Sequence, residues 1–267
     1  MRILALGIMG LLVCCASVSA QPGPIFGSSV NITNSTNSGN NSGNIINSGT
    51  ETINGSGRII EASLPASNFN RLDMAAIGNL RITRGTQEAL RIKVDDNLLP
   101  YFATQVVDGL LRIYLTTSAV LLPTQPPEFT LSVLALQEIR LSGAANIDAP
   151  QLEAEQFTVT LTGAGDVALS ALSAQRLTVW LAGAGDVLLA GRVAEQDITL
   201  SGSGSYQAGT LTSTQAAIRL SGAGNAELQV SDVLQAEIQG AGTIRYRGHP
   251  HTVEQSVSGA GTIIAVE

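Results

Sequence analysis

The residues that could do chemistry recur at a fixed spacing. Asp166 and Asp186 each close a Gly-Ala-Gly phrase, and Asn146, Ser205, Asn225, Thr243 and Thr262 take the same place in its other copies. Stacked as neighbouring strands, the two carboxylates would lie roughly 5 Å apart. That separation suits the paired acids of a retaining glycosidase, or oxygen ligands for a cation such as Ca²⁺. The competing reading is that Asp and Asn hold their own turns by bonding nearby amides. Each phrase offers one acidic position at most, so turn capping is the expected role and Asp166 and Asp186 form a weak metal site only. The pattern is also not the Gly-Gly-x-Gly-x-Asp calcium repeat.

Trp180 is the second candidate. It stands between the aliphatic residues Val179 and Leu181, so alternation points the one Trp of the chain outward. The equivalent positions of the other copies read Arg140, Thr160, Thr199, Arg219, Glu237 and Ser256. An exposed indole flanked by Thr160 and Thr199, with Arg140 and Arg219 two copies away on either side, is a platform on which a sugar ring could stack. A ring covered by a loop or a partner subunit is the plainer alternative. His249-Pro250-His251 reads as a turn, since two histidines with no cysteine beside them do not complete a zinc site. No Gly-x-Gly-x-x-Gly stands between a strand and a helix, so nucleotide binding is not indicated.

The elements that position these residues are copies of one phrase: an aliphatic run, then Ser/Thr-Gly-Ala-Gly, then one small polar residue. The first glycines are Gly143, Gly163, Gly183, Gly202, Gly222, Gly240 and Gly259, at steps of 20, 20, 19, 20, 18 and 19 residues. Seven copies at that period predict a solenoid. Two columns are expected to point inward. One is Leu141, Leu161, Leu181, Leu200, Leu220, Ile238 and Val257; the other is Ile147, Val167, Val187, Tyr206, Ala226, Ile244 and Ile263. The glycines are expected at sharp corners, where positive φ would favour them.

Composition agrees with a narrow aliphatic core. Hydrophobic residues make up 44% of 267, aromatics 4% and charged residues 13%, with 28 glycines. The net charge of -7, with Lys93 as the sole lysine, offers nucleic acid no basic stripe and argues against docking on anionic lipid. Residues 1–20 read as an export signal: Arg2, the apolar run Ile3 to Val13, and Val18-Ser19-Ala20 before a cut at Gln21. The run is too short for a permanent membrane span. Lipidation at Cys15 is the less favoured alternative, because Cys14 stands where a small residue is wanted.

Residues 21–57 are rich in Asn, Ser and Gly and predict a flexible tether. In a sharper reading Val30, Ile32, Ile45, Ile46 and Ile53 are inward positions of degenerate coils. Residues 58–267 are expected to form one β-domain, with the regular coils at 138–267. Its early part alternates cleanly at 79–84, 90–94 and 110–115. Asp95-Asp96-Asn97 before Leu98-Leu99 predicts a capped helical turn ended by Pro100, and Pro123, Pro126 and Pro127 mark a loop.

The Ser-Gly-Ala-Gly coils resemble the head GIN domain family of auto-transporter adhesins. So do Ile77-Gly78-Asn79-Leu80-Arg81-Ile82-Thr83-Arg84-Gly85, Asp108-Gly109-Leu110-Leu111-Arg112-Ile113, and the closing run from Gly242 to Pro250. The resemblance covers Phe69 to Ile264 and implies a right-handed parallel β-helix on exported bacterial proteins; it carries no catalytic residues. The expected fold is therefore all-β, a single-stranded parallel β-helix. The expected function is a non-enzymatic, adhesin-like protein of the cell envelope or surface, without cofactor, whose partner is a surface glycan or an envelope protein. Alternatives are a carbohydrate-active β-helix enzyme, by fold analogy alone, and a self-assembling scaffold whose terminal coil stacks on a second copy.

Overall fold

The computed structural model describes residues 51–266; the leader, Cys15 and the Asn-rich segment up to residue 50 lie outside the described residues. The regular secondary structure from there is strand, apart from one 3-10 turn at Leu99–Tyr101. The first strands are β1 (Thr52–Asn54), β2 (Ile59–Leu64), β3 (Arg71–Ala75), β4 (Ile77–Arg84) and β5 (Ala89–Asp95). After the turn come β6 (Phe102–Val107), β7 (Leu110–Leu115), β8 (Val120–Leu122) and β9 (Glu128–Val133). The regular array is β10 (Glu138–Leu141), β11 (Ala144–Ala149), β12 (Leu152–Leu161), β13 (Val167–Leu181), β14 (Val187–Leu200), β15 (Ser205–Leu220), β16 (Asn225–Ile238), β17 (Thr243–Arg247), β18 (Thr252–Val257) and β19 (Thr262–Ala265). The run expected to be wholly tether thus contributes a strand: β1 pairs in parallel with β8, and Ile53 packs partly buried against the core.

Among the strands from β10 to β19 every pairing is parallel and joins positions 17 to 20 residues apart, which makes the array a β-solenoid. One face stacks the strand that precedes each Gly phrase, a second the strand that follows it. A third carries stretches such as Leu152, Leu172 and Gly191, with bulges at the bends of β13 and β14. Alternation decides the burial, since successive side chains of a strand point to opposite faces. Leu141, Leu161, Leu181, Leu200, Leu220 and Ile238 are buried, as are Ile147, Val167, Val187, Tyr206, Ala226 and Ile244.

The array does not begin where the chain does. Strand β3 pairs with β10 on one side and with β7 on the other, and β4 lies likewise between β11 and β9. The chain therefore lays down the second level first, goes to the end of the stack for β7 and β9, and passes back to β10. Met74 and Ile113 continue the Leu141 column. That end is closed by antiparallel pairing: β5 on β9, β2 on β5, and β6 on β7. Phe102 and Phe129 meet edge to face under this closure, with centroids 5.8 Å apart.

The Gly phrases owe their glycines to close approach rather than to φ. None of their glycines is in the left-handed region, which among the described residues holds Asn68, Asp108, Gly57, Gly78, Gly109, Gly191 and Gly248. Instead the first glycines stack backbone on backbone. A Cβ on Gly163 would overlap the carbonyl oxygen of Gly143, one on Gly183 that of Gly163, and so on through Gly202, Gly222, Gly240 and Gly259. The same carbonyls accept the next coil's amide, as in Ala164 N to Gly143 O at 3.1 Å and Ala223 N to Gly202 O at 3.2 Å. Gly165, Gly185, Gly204, Gly224 and Gly242 form a second such stack. The expectation of positive φ at the corners is corrected accordingly.

Asp95, Asp96 and Asn97 do not cap a helix. The 3-10 turn starts after Leu98 with no side-chain cap, and Pro100 lies inside it. The three side chains instead hold the incoming N-terminal segment. Asp96 accepts from Ser56 Oγ, Asn97 accepts from Ser56 N at 2.9 Å, and its amide donates to Asn54 O at 2.8 Å. Asp95, with no accessible surface, accepts from Gly57 N at 2.7 Å, Thr124 N at 2.9 Å and Thr124 Oγ1 at 2.7 Å. Burial alone would raise its pKa, but the bonds from Thr124 and Gly57 outweigh it and hold the carboxyl below its ordinary 3.8.

Two measurements check this account. Gly183→Ala forces a methyl into the Gly163 carbonyl and should cost about 1–3 kcal/mol in chemical denaturation. Ala184→Ser, which copies the natural Ser203, should change stability by less than about 0.5 kcal/mol. For Asp95 the folded value lies below the unfolded one. Its contribution is therefore complete above the unfolded value and is lost as pH falls through the folded value. Asp95→Asn should lower the melting temperature at neutral pH, narrow the gap to wild type on acidification below pH 4, and speed proteolysis after Arg58.

Candidate functional site

The registers place every residue of the expected platform in one outward column. It runs Arg112, Asp73, Arg140, Thr160, Trp180, Thr199, Arg219, Glu237, Ser256. The strands of a sheet are about 4.8 Å apart, so each arginine stands roughly 10 Å from the indole. Trp180 is 53% exposed, and its immediate neighbours in the column are the short Thr160 and Thr199. The indole projects from a parallel sheet packed on the core beneath, through buried Val179 and Leu181.

The arginines are not bare cations. Arg140 Nε donates to Glu138, whose carboxylate is nearly buried, and Arg219 stands 3.8 Å from both Asp197 and Glu237. Beside the Trp180 column runs Thr158, Thr178, Asp197, Ala217, Gln235, Glu254. The missing bulk at Ala217 leaves a shallow depression of about 270 Å³, rimmed by Arg219, Gln235, Glu237 and Glu254. An aromatic plane beside hydroxyls, an amide and opposed charges can hold a ring on its apolar face while bonding its polar edge.

The second face shows what the polar ends of the phrases do. Asn146 Oδ1 accepts from Asp166 N at 3.1 Å, Asp166 Oδ1 from Asp186 N at 2.9 Å, and Asp186 Oδ1 from Ser205 N at 2.9 Å. Each side chain thus caps the amide of the following coil. Asp186 Oδ2 also accepts from Gln207 at 3.3 Å, which leaves Asp166 Oδ2 as the free oxygen of the pair. Among the described residues no three His, Cys, Asp or Glu side chains gather as a metal site. A depression of about 460 Å³ opens on this face near Asn79, Arg81, Asn146 and Asp148, across which Arg81 and Asp148 form an ion pair at 3.6 Å. His251 Nδ1 lies 3.2 Å from Asp232, and both histidines of the turn are exposed.

Sequence reasoning missed one inward polar residue. Gln196 occupies the inward position of Leu177 and Ala216, and its Oε1 accepts from Tyr206 Oη at 2.6 Å. Burial pushes the Tyr206 hydroxyl far above its usual range, so it stays a donor. The Gln196 amide nitrogen is left without a partner, which costs about 1–3 kcal/mol. The 19-residue step from Leu177 was the signal that could have found it.

No helix among the described residues is long and apolar enough to cross a membrane. No curated protein matches the chain. Among solved structures, a "putative adhesin" of Bacteroides fragilis superposes with a TM-score of 0.77 at 25% identity, covering 80% of this chain and 100% of its own. A "putative lipid binding protein" of Parabacteroides distasonis gives 0.69 at 20% identity, covering 81% and 100%. A "putative adhesin" of Parabacteroides merdae gives 0.62 at 22%, with the same coverage, and these last two share the fold alone. The family described as "putative auto-transporter adhesin, head GIN domain" matches residues 68–250. With its stacked coils, glycine corners and more than half of its length inside that match, this chain belongs to the head GIN domain family.

Proposed function

We propose that this chain is a non-enzymatic, adhesin-like surface protein, exported through its leader, that holds a glycan on the outer face around Trp180. The observation that carries the reading is an indole 53% exposed at the centre of an outward face, with hydroxyls on both sides and a charged pair beyond. A pyranose presents an apolar CH face and a polar rim. The first suits the indole, the second suits Thr160, Thr199 and the groups around Arg219. Arg140 and Arg219 orient acidic or hydroxyl substituents, but their carboxylate partners keep the face from being a general anion trap.

Family membership supports the adhesin-like reading, and the description of the Bacteroides fragilis structure agrees with it. Export is supported by Arg2, the apolar run to Val13 and the Val18-Ser19-Ala20 site. The non-enzymatic reading is supported by the capping work of Asp166 and Asp186, whose Oδ1 atoms are occupied by backbone amides.

The test is retention on an array of bacterial and host glycans, for wild type and Trp180→Ala. The variant removes an exposed ring and should fold as wild type does, yet bind its best glycan about tenfold more weakly, a loss of about 1.4 kcal/mol. Equal retention by both proteins contradicts the site. Release of reducing ends from a bound polysaccharide contradicts the non-enzymatic reading.

A further inference from the structure

We propose that the chain forms a closed dimer, tail to tail, in which β18 of one copy pairs antiparallel with β18 of a second copy about a two-fold axis at Gln255. On one side β18 is paired with β16. On the other, no strand register among the described residues involves it. Its inward residues extend the core columns yet lie open: Val253 is 39% and Val257 47% exposed, where Leu234 and Ile238 one coil earlier are wholly buried. An edge with unsatisfied amides and carbonyls above an open apolar core is a template for another strand.

The residues of β18 say which strand fits. In an antiparallel pair, opposed residues point to the same side. With Gln255 opposite Gln255 of the second copy, Val253 lies opposite Val257 and Val257 opposite Val253, so both pairs continue the inward columns. The two Gln255 side chains, each with a donor and an acceptor, meet on the axis and can satisfy one another. Outward, Glu254 faces Ser256 in both halves, so no like charges are opposed. A shift of one residue would set Val253 against Ser256 and mix the inner and outer faces. The strand is therefore self-complementary in one register.

The other end of the molecule decides between dimer and fibre. A head-to-tail stack would need an open first level, but there β9 is covered by β5, β5 by β2, and β7 by β6. An isologous contact at the tail uses up its own surface and closes at two copies. Two platforms around Trp180 would then be carried by one particle, and an adhesin gains avidity from such pairing.

Sedimentation of the full chain from about 1 to 100 µM, a range suited to a small interface, should show a monomer–dimer equilibrium with no larger species. Val257→Lys should weaken it about tenfold or more, because the ammonium would be placed in the joined core. A second variant covers a failure of that one to fold. Gln255→Cys puts the two thiols opposite each other at a spacing that a disulfide can bridge, so mild oxidation should give a cross-link between the two substituted positions, identified by mass spectrometry. A monomer at every concentration overturns the proposal, as does an open-ended polymer. So does a dimer that survives Val257→Lys and does not cross-link at position 255.

Discussion

The structure depends on one close approach of backbone to backbone. At the corners from Gly143 to Gly222 the carbonyl of the first glycine accepts an amide from the coil above while the next glycine passes directly over it, with no room for a Cβ. Corners of most folds are loops that splay apart. Here they stack at the rise of the strands they join, so all faces advance together. That shared rise is what keeps Leu141, Leu161, Leu181 and Leu200 in one column, and Arg140, Thr160, Trp180 and Thr199 in another.

The regular half of the fold was legible because its period is redundant. Each inward position is repeated in seven copies, and alternation around Val179 and Leu181 suffices to point Trp180 outward. The irregular half was less so. Strands at 79–84, 90–94 and 110–115 could be recognised from their pattern, but alternation is blind to partner and direction. Nothing in Leu90-Arg91-Ile92 says that β5 runs antiparallel over β9, and no alternation says that β3 lies between β7 and β10 or β4 between β9 and β11. The Asp95-Asp96-Asn97 triplet misled for a related reason: the groups that favour an N-cap equally favour any loop amide, and here Gly57 and Thr124 won them.

At the site itself the column was legible and its electrostatics were not. Spacing put Arg140 and Arg219 in the Trp180 column. Pairing with Glu138, or standing between Asp197 and Glu237, depends on rotamers chosen across strands. The polar ends of the phrases show the same limit. Asp166 and Asp186 could be seen to stack, but that each caps the amide one coil further on follows only from how the coils are offset. Gln196 and Tyr206 form a buried pair that no local pattern announces, since they come from different faces of neighbouring coils.

The most direct test of the account is amide hydrogen exchange at the corners. Ala164, Ala184, Ser203, Ala223 and Ala241 donate to glycine carbonyls one coil away. If the glycine stacks are part of the core, these amides exchange as slowly as those of Val179 and Ile198 within the strands, through global unfolding. Exchange at the rate of free loops, with the strands still protected, would show that the corners open independently and that the stacked glycines do not hold the coils together.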